Sequence, residues 1–218
     1  MKLKLKVCGM KHAANIAAVA ELHPDYLGFI FYAKSPRFIG EVSAELIKYI
    51  PTSIKTTGVF VNEALETVKT HVLKHNLKAA QLHGNESEAY CRELRLTGID
   101  VIKAFGVGEN FNFSRLEGYL NVVDYFLFDT QTPQHGGSGK VFDWRLLQNY
   151  TLDKPYFLSG GIDLNHARHI QEIKDPRLFA IDINSKFEVE PGLKDVEKIE
   201  EFINELNTVR SKEEQGNV

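Results

Sequence analysis

Two side chains at the ends of apolar runs could carry acid–base chemistry, Cys8 and Asp129. Cys8 closes the segment L-K-L-K-V-C. Side chains alternate along a strand, so Leu3, Leu5 and Val7 share one face and Lys4, Lys6 and Cys8 the other. If the apolar face meets helices, Cys8 points inward at the strand's end. A helix starting soon after, and Lys11 nearby, would favour the thiolate, the form that takes a proton. The competing reading is a small buried hydrophobe. Asp129 ends the run F-L-F-D. A carboxyl directly after an apolar run is costly without partners or a task. General acid catalysis is one such task, and capping the next loop is another.

Other residues could hold an anion. Arg37 follows a Ser-Pro turn in F-Y-A-K-S-P-R-F, where a planar guanidinium could grip a carboxylate with two hydrogen bonds. Taken alone, it is more often a solvated loop arginine. His83, in Q-L-H-G, could be an acid, a base or a polar wall, and is more often a structural group. Gly160 and Gly161, after Ser159, and Asn184-Ser185 are small enough to let backbone N–H groups approach a phosphate. Gly136, Gly137 and Gly139 lie in the long segment T-Q-T-P-Q-H-G-G-S-G-K-V-F-D-W, which reads as a mobile lid. That segment is not a Walker A loop, because Gln134 stands where the first glycine belongs and Val141 follows Lys140.

Short β-rich runs supply the frame. They cover residues 3–7, 26–31, 55–61, 78–82, 101–105, 125–128, 156–158 and 179–183. Helical patterns fill most gaps. Ala13, Ile16, Val19 and Ala20 form one stripe, and Leu65, Val68 and Val72 another after the cap candidate Asn62. A last helix begins near Asp195, with Val196, Ile199, Ile203 and Leu206 on one face. The fifth gap, residues 106–121, has room only for a short or irregular helix. Eight strands alternating with helices imply an α/β fold with a parallel sheet. The even spacing and the lack of G-x-G-x-x-G after the first strand favour a closed (β/α)8 barrel over an open sheet. Residues 1–210 read as one such domain and 211–218 as a disordered tail. In these barrels chemistry sits at the C-terminal strand ends, and the loops after strands seven and eight commonly hold phosphate.

The chain has 218 residues and a formal charge of −3, which points to neither a nucleic-acid nor a membrane partner. Two distant cysteines suit a reducing, cytoplasmic compartment. The charged start M-K-L-K-L-K lacks the apolar core of a signal peptide. No H-E-x-x-H, C-x-x-C or dinucleotide fingerprint is present, so no metal or cofactor is expected. Monomer and homodimer remain open.

The segments K-V-C-G-M, L-G-F-I-F…S-P-R, G-V-F-V-N, Q-L-H-G-N-E, V-I-K-A-F, F-D-T, G-G-S-G-K-V-F-D-W, L-S-G-G-I and D-I-N-S…P-G-L-K-D occur in one order over residues 3 to 207. In that order the chain resembles phosphoribosylanthranilate isomerase of tryptophan biosynthesis. The resemblance implies an Amadori rearrangement of N-(5-phosphoribosyl)anthranilate without cofactor. It implies Cys8 as general base, Asp129 as general acid and Arg37 on the anthranilate carboxylate. Gly160, Gly161, Asn184 and Ser185 would hold the phosphate. One departure is Lys186-Phe187, where many members have glycine after the strand-eight serine. A histidine-pathway isomerase with two aspartates, a Schiff-base lyase using Lys103 and a non-catalytic phosphate-binding barrel are the rivals. Cys8 in place of an aspartate argues against the first.

Overall fold

The structure is a computed structural model and describes residues 3–40, 46, 50–130 and 143–215, with side chains as far as Asn207. The glycines read as a lid, Gly136, Gly137 and Gly139, lie outside the described residues. Eight parallel strands close into a barrel, each paired with its neighbour in chain order and β8 paired back to β1. They are β1 (Lys4–Val7), β2 (Tyr26–Ile30), β3 (Lys55–Phe60), β4 (Ala79–Leu82), β5 (Asp100–Val107), β6 (Tyr125–Thr130), β7 (Tyr156–Leu158) and β8 (Leu178–Ile183). Outside the sheet lie helices α1 (Ala13–Ala20), α2 (Leu65–Lys74), α3 (Glu88–Arg95), α4 (Ala167–Glu172) and α5 (Val196–Gln215). After β8 a 3-10 turn at Ser185–Phe187 leads into an antiparallel ribbon of β9 (Glu188–Glu190) and β10 (Leu193–Lys194). The ribbon was not foreseen.

The period-two pattern in β1 sorts its residues as expected. Leu5 and Val7 pack into the layer between sheet and helices, whereas Lys6 is fully buried inside the barrel. Tyr26, Ala79, Ile102, Ala104, Leu127, Phe157 and Ala180 form the apolar interior. Tyr26 meets Phe157 edge-on at 5.3 Å. Truncating a buried ring such as Phe157 to Ala leaves a cavity and costs about 3–5 kcal/mol. Above this apolar plug, Lys6 of β1 and Asp182 of β8 stand opposite one another in register. They begin a polar layer beneath the barrel's C-terminal mouth.

Between β5 and β7 the connections carry 3-10 helices, at Phe113–Tyr119 and Trp144–Asn149. The fifth is thus short, as the sequence suggested. Shorter elements leave more volume against the sheet, and Phe105, Phe126, Phe128, Tyr150 and Tyr156 fill it; Phe128 and Tyr150 lie 5.1 Å apart.

Three local expectations are corrected. Ala13 is exposed, and Asn15 takes its place on the buried face of α1. Asn62 does not cap α2, whose first flanking residue is Ala64 with no side-chain cap. Asn62 instead adopts a left-handed φ of 52° and its Oδ1 accepts from Asn85 N–H at 2.6 Å, tying two loops together. The last helix runs to Gln215, past the point where the tail was placed. Its residues Ser-Lys-Glu-Glu-Gln include good helix formers, so polarity alone was a poor guide to its end. Phe202, missed in the sequence, is buried on this helix beside Phe187 at 5.0 Å.

Candidate active site

Cys8 follows β1 directly and is buried. Its N–H donates to Ile183 O of β8 at 2.9 Å, which carries the sheet's pairing up to the mouth. Burial pushes the thiol pKa up; Lys6 is the strongest influence pulling it down, Lys194 also lowers it, and Asp182 raises it. The cation expected from the sequence, Lys11, lies elsewhere: a carbon built on Gly192 would meet its Cβ at 3.0 Å, so its stem covers the ribbon. The first helix, α1, opens at Ala13, where the sequence pattern placed its apolar stripe.

Lys6 Nζ donates to Asp182 Oδ2 at 2.8 Å and to Gln81 Oε1 at 2.6 Å. Burial opposes its charge, yet Asp182 and Cys8 outweigh burial and raise its pKa. The other carboxylate oxygen, Asp182 Oδ1, is buried with no hydrogen-bond partner among the described residues. An ammonium only donates, so Gln81 offers Lys6 its oxygen and turns its amide nitrogen to His83 Nδ1, 3.2 Å away. Nδ1 therefore accepts, and a neutral His83 carries its proton on Nε2. That nitrogen lies 3.4 Å from Asp129 Oδ2. Asp129 Oδ1 accepts from Thr130 N–H at 2.8 Å, a contact that fixes the carboxyl at the end of β6. A polar chain thus runs from Asp182 through Lys6, Gln81 and His83 to Asp129.

Arg37 is not a solvated loop residue. Its Nε lies 2.9 Å from both oxygens of Glu188, and its Nη2 donates to Oε2 at 2.7 Å. Glu188 also accepts from Lys194 Nζ at 2.6 Å and Gly192 N–H at 3.1 Å. Burial pushes the Glu188 carboxyl up, but its contacts with Arg37 and Lys194 outweigh burial and hold it below the usual range. The ribbon bearing both residues is anchored to α1. Asn15 Nδ2 donates to Lys194 O at 2.8 Å, and Lys194 N–H donates back to Asn15 Oδ1 at 2.7 Å.

Gly160 and Gly161 both have positive φ, 93° and 65°, a backbone that side chains disfavour. A carbon on Gly160 would come 2.6 Å from Thr130 N and 2.9 Å from Asp129 Oδ1, so the loop after β7 lies against the end of β6. The 3-10 turn that follows opens with a capping box between Asp163 and His166. Asn184 sits elsewhere on the rim. Its Oδ1 accepts from Lys194 Nζ at 2.7 Å and would be 2.6 Å from a carbon built on Gly9. Ser185 opens the 3-10 turn before the ribbon. Lys186 is exposed, and its carbonyl accepts from Lys198 Nζ at 2.6 Å.

The structure therefore brings Cys8, His83, Asp129, Arg37 and the Gly160 and Asn184 loops to one end of the barrel. Lys103 does different work. Buried, it donates to the carbonyls of Gly84 at 2.8 Å and of Leu82 and Ala104 at 3.2 Å, and pairs with Glu86 at 3.2 Å. An amine so engaged is a brace for the loop after β4 rather than a Schiff-base nucleophile. Sequence reasoning gave Lys6, Gln81 and Asp182 no part in a buried layer. Each stands two residues before a rim residue already singled out, so the same alternation puts it one layer below. Glu188 and Lys194 carry no such signal. Among the described residues no cluster of three or more His, Cys, Asp or Glu could hold a metal ion, and no helix is long and apolar enough to cross a membrane.

The family described as N-(5'phosphoribosyl)anthranilate (PRA) isomerase matches residues 5–205. A Parabacteroides distasonis protein named N-(5'-phosphoribosyl)anthranilate isomerase is 43% identical over 204 residues, 93% of this chain and 92% of its own. The Thermotoga maritima phosphoribosyl anthranilate isomerase superposes with a TM-score of 0.85 at 35% identity, covering 95% of this chain and all of that one. A similar enzyme solved with reduced 1-(o-carboxyphenylamino)-1-deoxyribulose 5-phosphate gives 0.82 at 32% identity, with coverage of 95% and 100%.

Proposed function

This chain belongs to the N-(5'-phosphoribosyl)anthranilate isomerase family, and on that footing we propose that Cys8 and Asp129 are the base and the acid of its reaction. The activity is phosphoribosylanthranilate isomerisation in tryptophan biosynthesis, from N-(5-phosphoribosyl)anthranilate to 1-(2-carboxyphenylamino)-1-deoxyribulose 5-phosphate. The observation that carries the assignment is the polar chain beneath the mouth, which joins the layer under Cys8 to Asp129 across the barrel.

Asp129, protonated, gives its proton to the ribose ring oxygen as the bond from C1 to that oxygen breaks. The iminium formed at C1 acidifies the C2 proton. Cys8, as thiolate, takes that proton and leaves an enolamine. The enolamine then loses its C2 hydroxyl proton and gains one at C1, which yields the ketone. His83 Nε2–H beside Asp129 steadies the carboxylate that the first step leaves.

Arg37 receives the anthranilate carboxylate through its guanidinium, which Glu188 holds by Nε and Nη2. The loops of Gly160, Gly161, Asn184 and Ser185 receive the phosphate. Asn184 contributes from the Arg37 side of the rim, since a carbon on Gly9 would meet both Asn184 Oδ1 and Arg37 Cδ. The reading needs no cofactor and no metal, and it places the chain in the cytoplasm, acting as a monomer or homodimer with no membrane or nucleic-acid partner. Turnover tests it through the loss of substrate fluorescence. Wild-type protein should clear the signal, and Cys8→Ala and Asp129→Asn should each slow it severely; full activity in either variant overturns that residue's role.

A further inference from the structure

We propose that Lys6 is a positioning residue for this isomerisation, its buried ammonium holding the neighbouring Cys8 ready to ionise. The inference rests on the reading of Cys8 as the base. Lys6 in β1 and Cys8 directly after it are two residues apart, so alternation turns them to the same face, and both are buried. Cys8 Sγ has one firm wall on the other side, because a carbon on Gly28 of β2 would come within 2.7 Å of it. A thiol enclosed in this way stays protonated and inert unless a cation is built in beside it.

Lys6 is placed for that purpose. Two of its three N–H bonds are spent on Asp182 and Gln81, which pin the ammonium, and one remains for the sulfur. Packing alone does not explain the pair. A buried ion pair adds little net stability, since desolvation offsets its attraction, and an apolar pair of similar size would fill the layer as well.

The charged groups acting on Cys8 are Lys6 on its own strand, Asp182 on β8 and Lys194 on β10; Gly28 on β2 brings none. Asp129 and His83 act in turn on Asp182. Lys6 and Asp182 work on the thiol in opposite senses, so removing one or the other should move its ionisation in opposite directions. A packing role predicts no such reversal.

The experiment follows the rate of Cys8 alkylation by iodoacetamide against pH in the full chain, with Cys91→Ala leaving a single thiol. Near-UV circular dichroism confirms folding in each variant. Asp182→Asn should lower the pH midpoint. Lys6→Met added to Asp182→Asn should raise it by about one unit or more above the single variant, the usual effect of a close charge. In the double variant kcat should fall at least about tenfold with KM nearly unchanged. Equal midpoints in the two variants overturn the proposal. Should the double variant fail to fold, Asp182→Asn decides alone, because a midpoint no lower than wild type is equally fatal. Alkylation reads the thiol whichever group takes the substrate's proton. A midpoint that shifts as expected while Cys8→Ala keeps full turnover would therefore sink Cys8 as base without touching the effect of Lys6 on its ionisation.

Discussion

The Cys8 sulfur occupies the space that a side chain on Gly28 would need: a carbon built there comes 2.7 Å from Sγ and 3.2 Å from the Cys8 Cβ. Gly28 lies in β2 with an ordinary strand pairing to Thr57 and no left-handed φ, so its role is room rather than backbone freedom. Gly28→Ala must displace the sulfur. A shift of about 1 Å at a reacting group can cost about 100-fold in rate, so kcat should fall by at least tenfold to that order. Steady-state kinetics alongside thermal melting checks this. A variant that melts lower but turns over normally would show that the position of Sγ is unimportant.

Cys8→Ala should lower kcat by about 100-fold or more, the usual scale of general-base catalysis, while the barrel stays folded. The side chain is small and its backbone N–H, which pairs with Ile183, is retained. Stopped or continuous fluorescence assays at saturating substrate give the number directly. A fall confined to KM would instead assign Cys8 to binding.

Asp129→Asn keeps the size of the side chain and its acceptor for Thr130 N–H but offers no carboxylic proton. Substrate should still bind, with kcat and kcat/KM falling together. The pH–rate profile should also lose its upper limb, which reports an acid that must hold its proton. An unchanged profile would pass the role to another group, and Asp182, buried beneath the same mouth, is the next candidate.

Glu188 ties function to acid stability. Its carboxyl is held below the ordinary value of about 4.3. A depressed acid stabilises the fold fully above its unfolded value and loses that contribution as pH falls through the lower folded value. Glu188→Gln should therefore be less stable than wild type near neutral pH and flatten the fall in stability on acidification. Urea unfolding at a series of pH values measures both. The same change frees Arg37 from its bidentate partner, so KM should rise with kcat less affected; a variant equal to wild type in KM would show that Arg37 needs no such hold.

Lys186, part of the one departure from the family pattern, is exposed at the turn after β8. Lys186→Met should leave KM within about twofold of wild type even at low salt, since an exposed charge contact contributes at most about 1 kcal/mol. A KM that rises several-fold at low ionic strength and recovers with added salt would mean instead that the ammonium reaches the phosphate.

The amino-acid sequence by itself determined the barrel's strands, their order and the inward face of the first. Alternation in L-K-L-K-V-C and the apolar runs before His83, Asp129 and Gly160 are local signals, and burial of one face enforces them. The same alternation carried Lys6, Gln81 and Asp182, two residues ahead of Cys8, His83 and Asn184, although they drew no notice as a layer. Only the tertiary structure decided how these residues meet. Closure of β8 against β1 puts Asp182 opposite Lys6, 176 positions away in the chain, and the ribbon brings Glu188 to Arg37 and Lys194 to Asn184. The ionisation of Cys8 follows from that assembly. It balances burial against cations supplied by separate strands, and neither the burial nor the distances exist until the barrel closes.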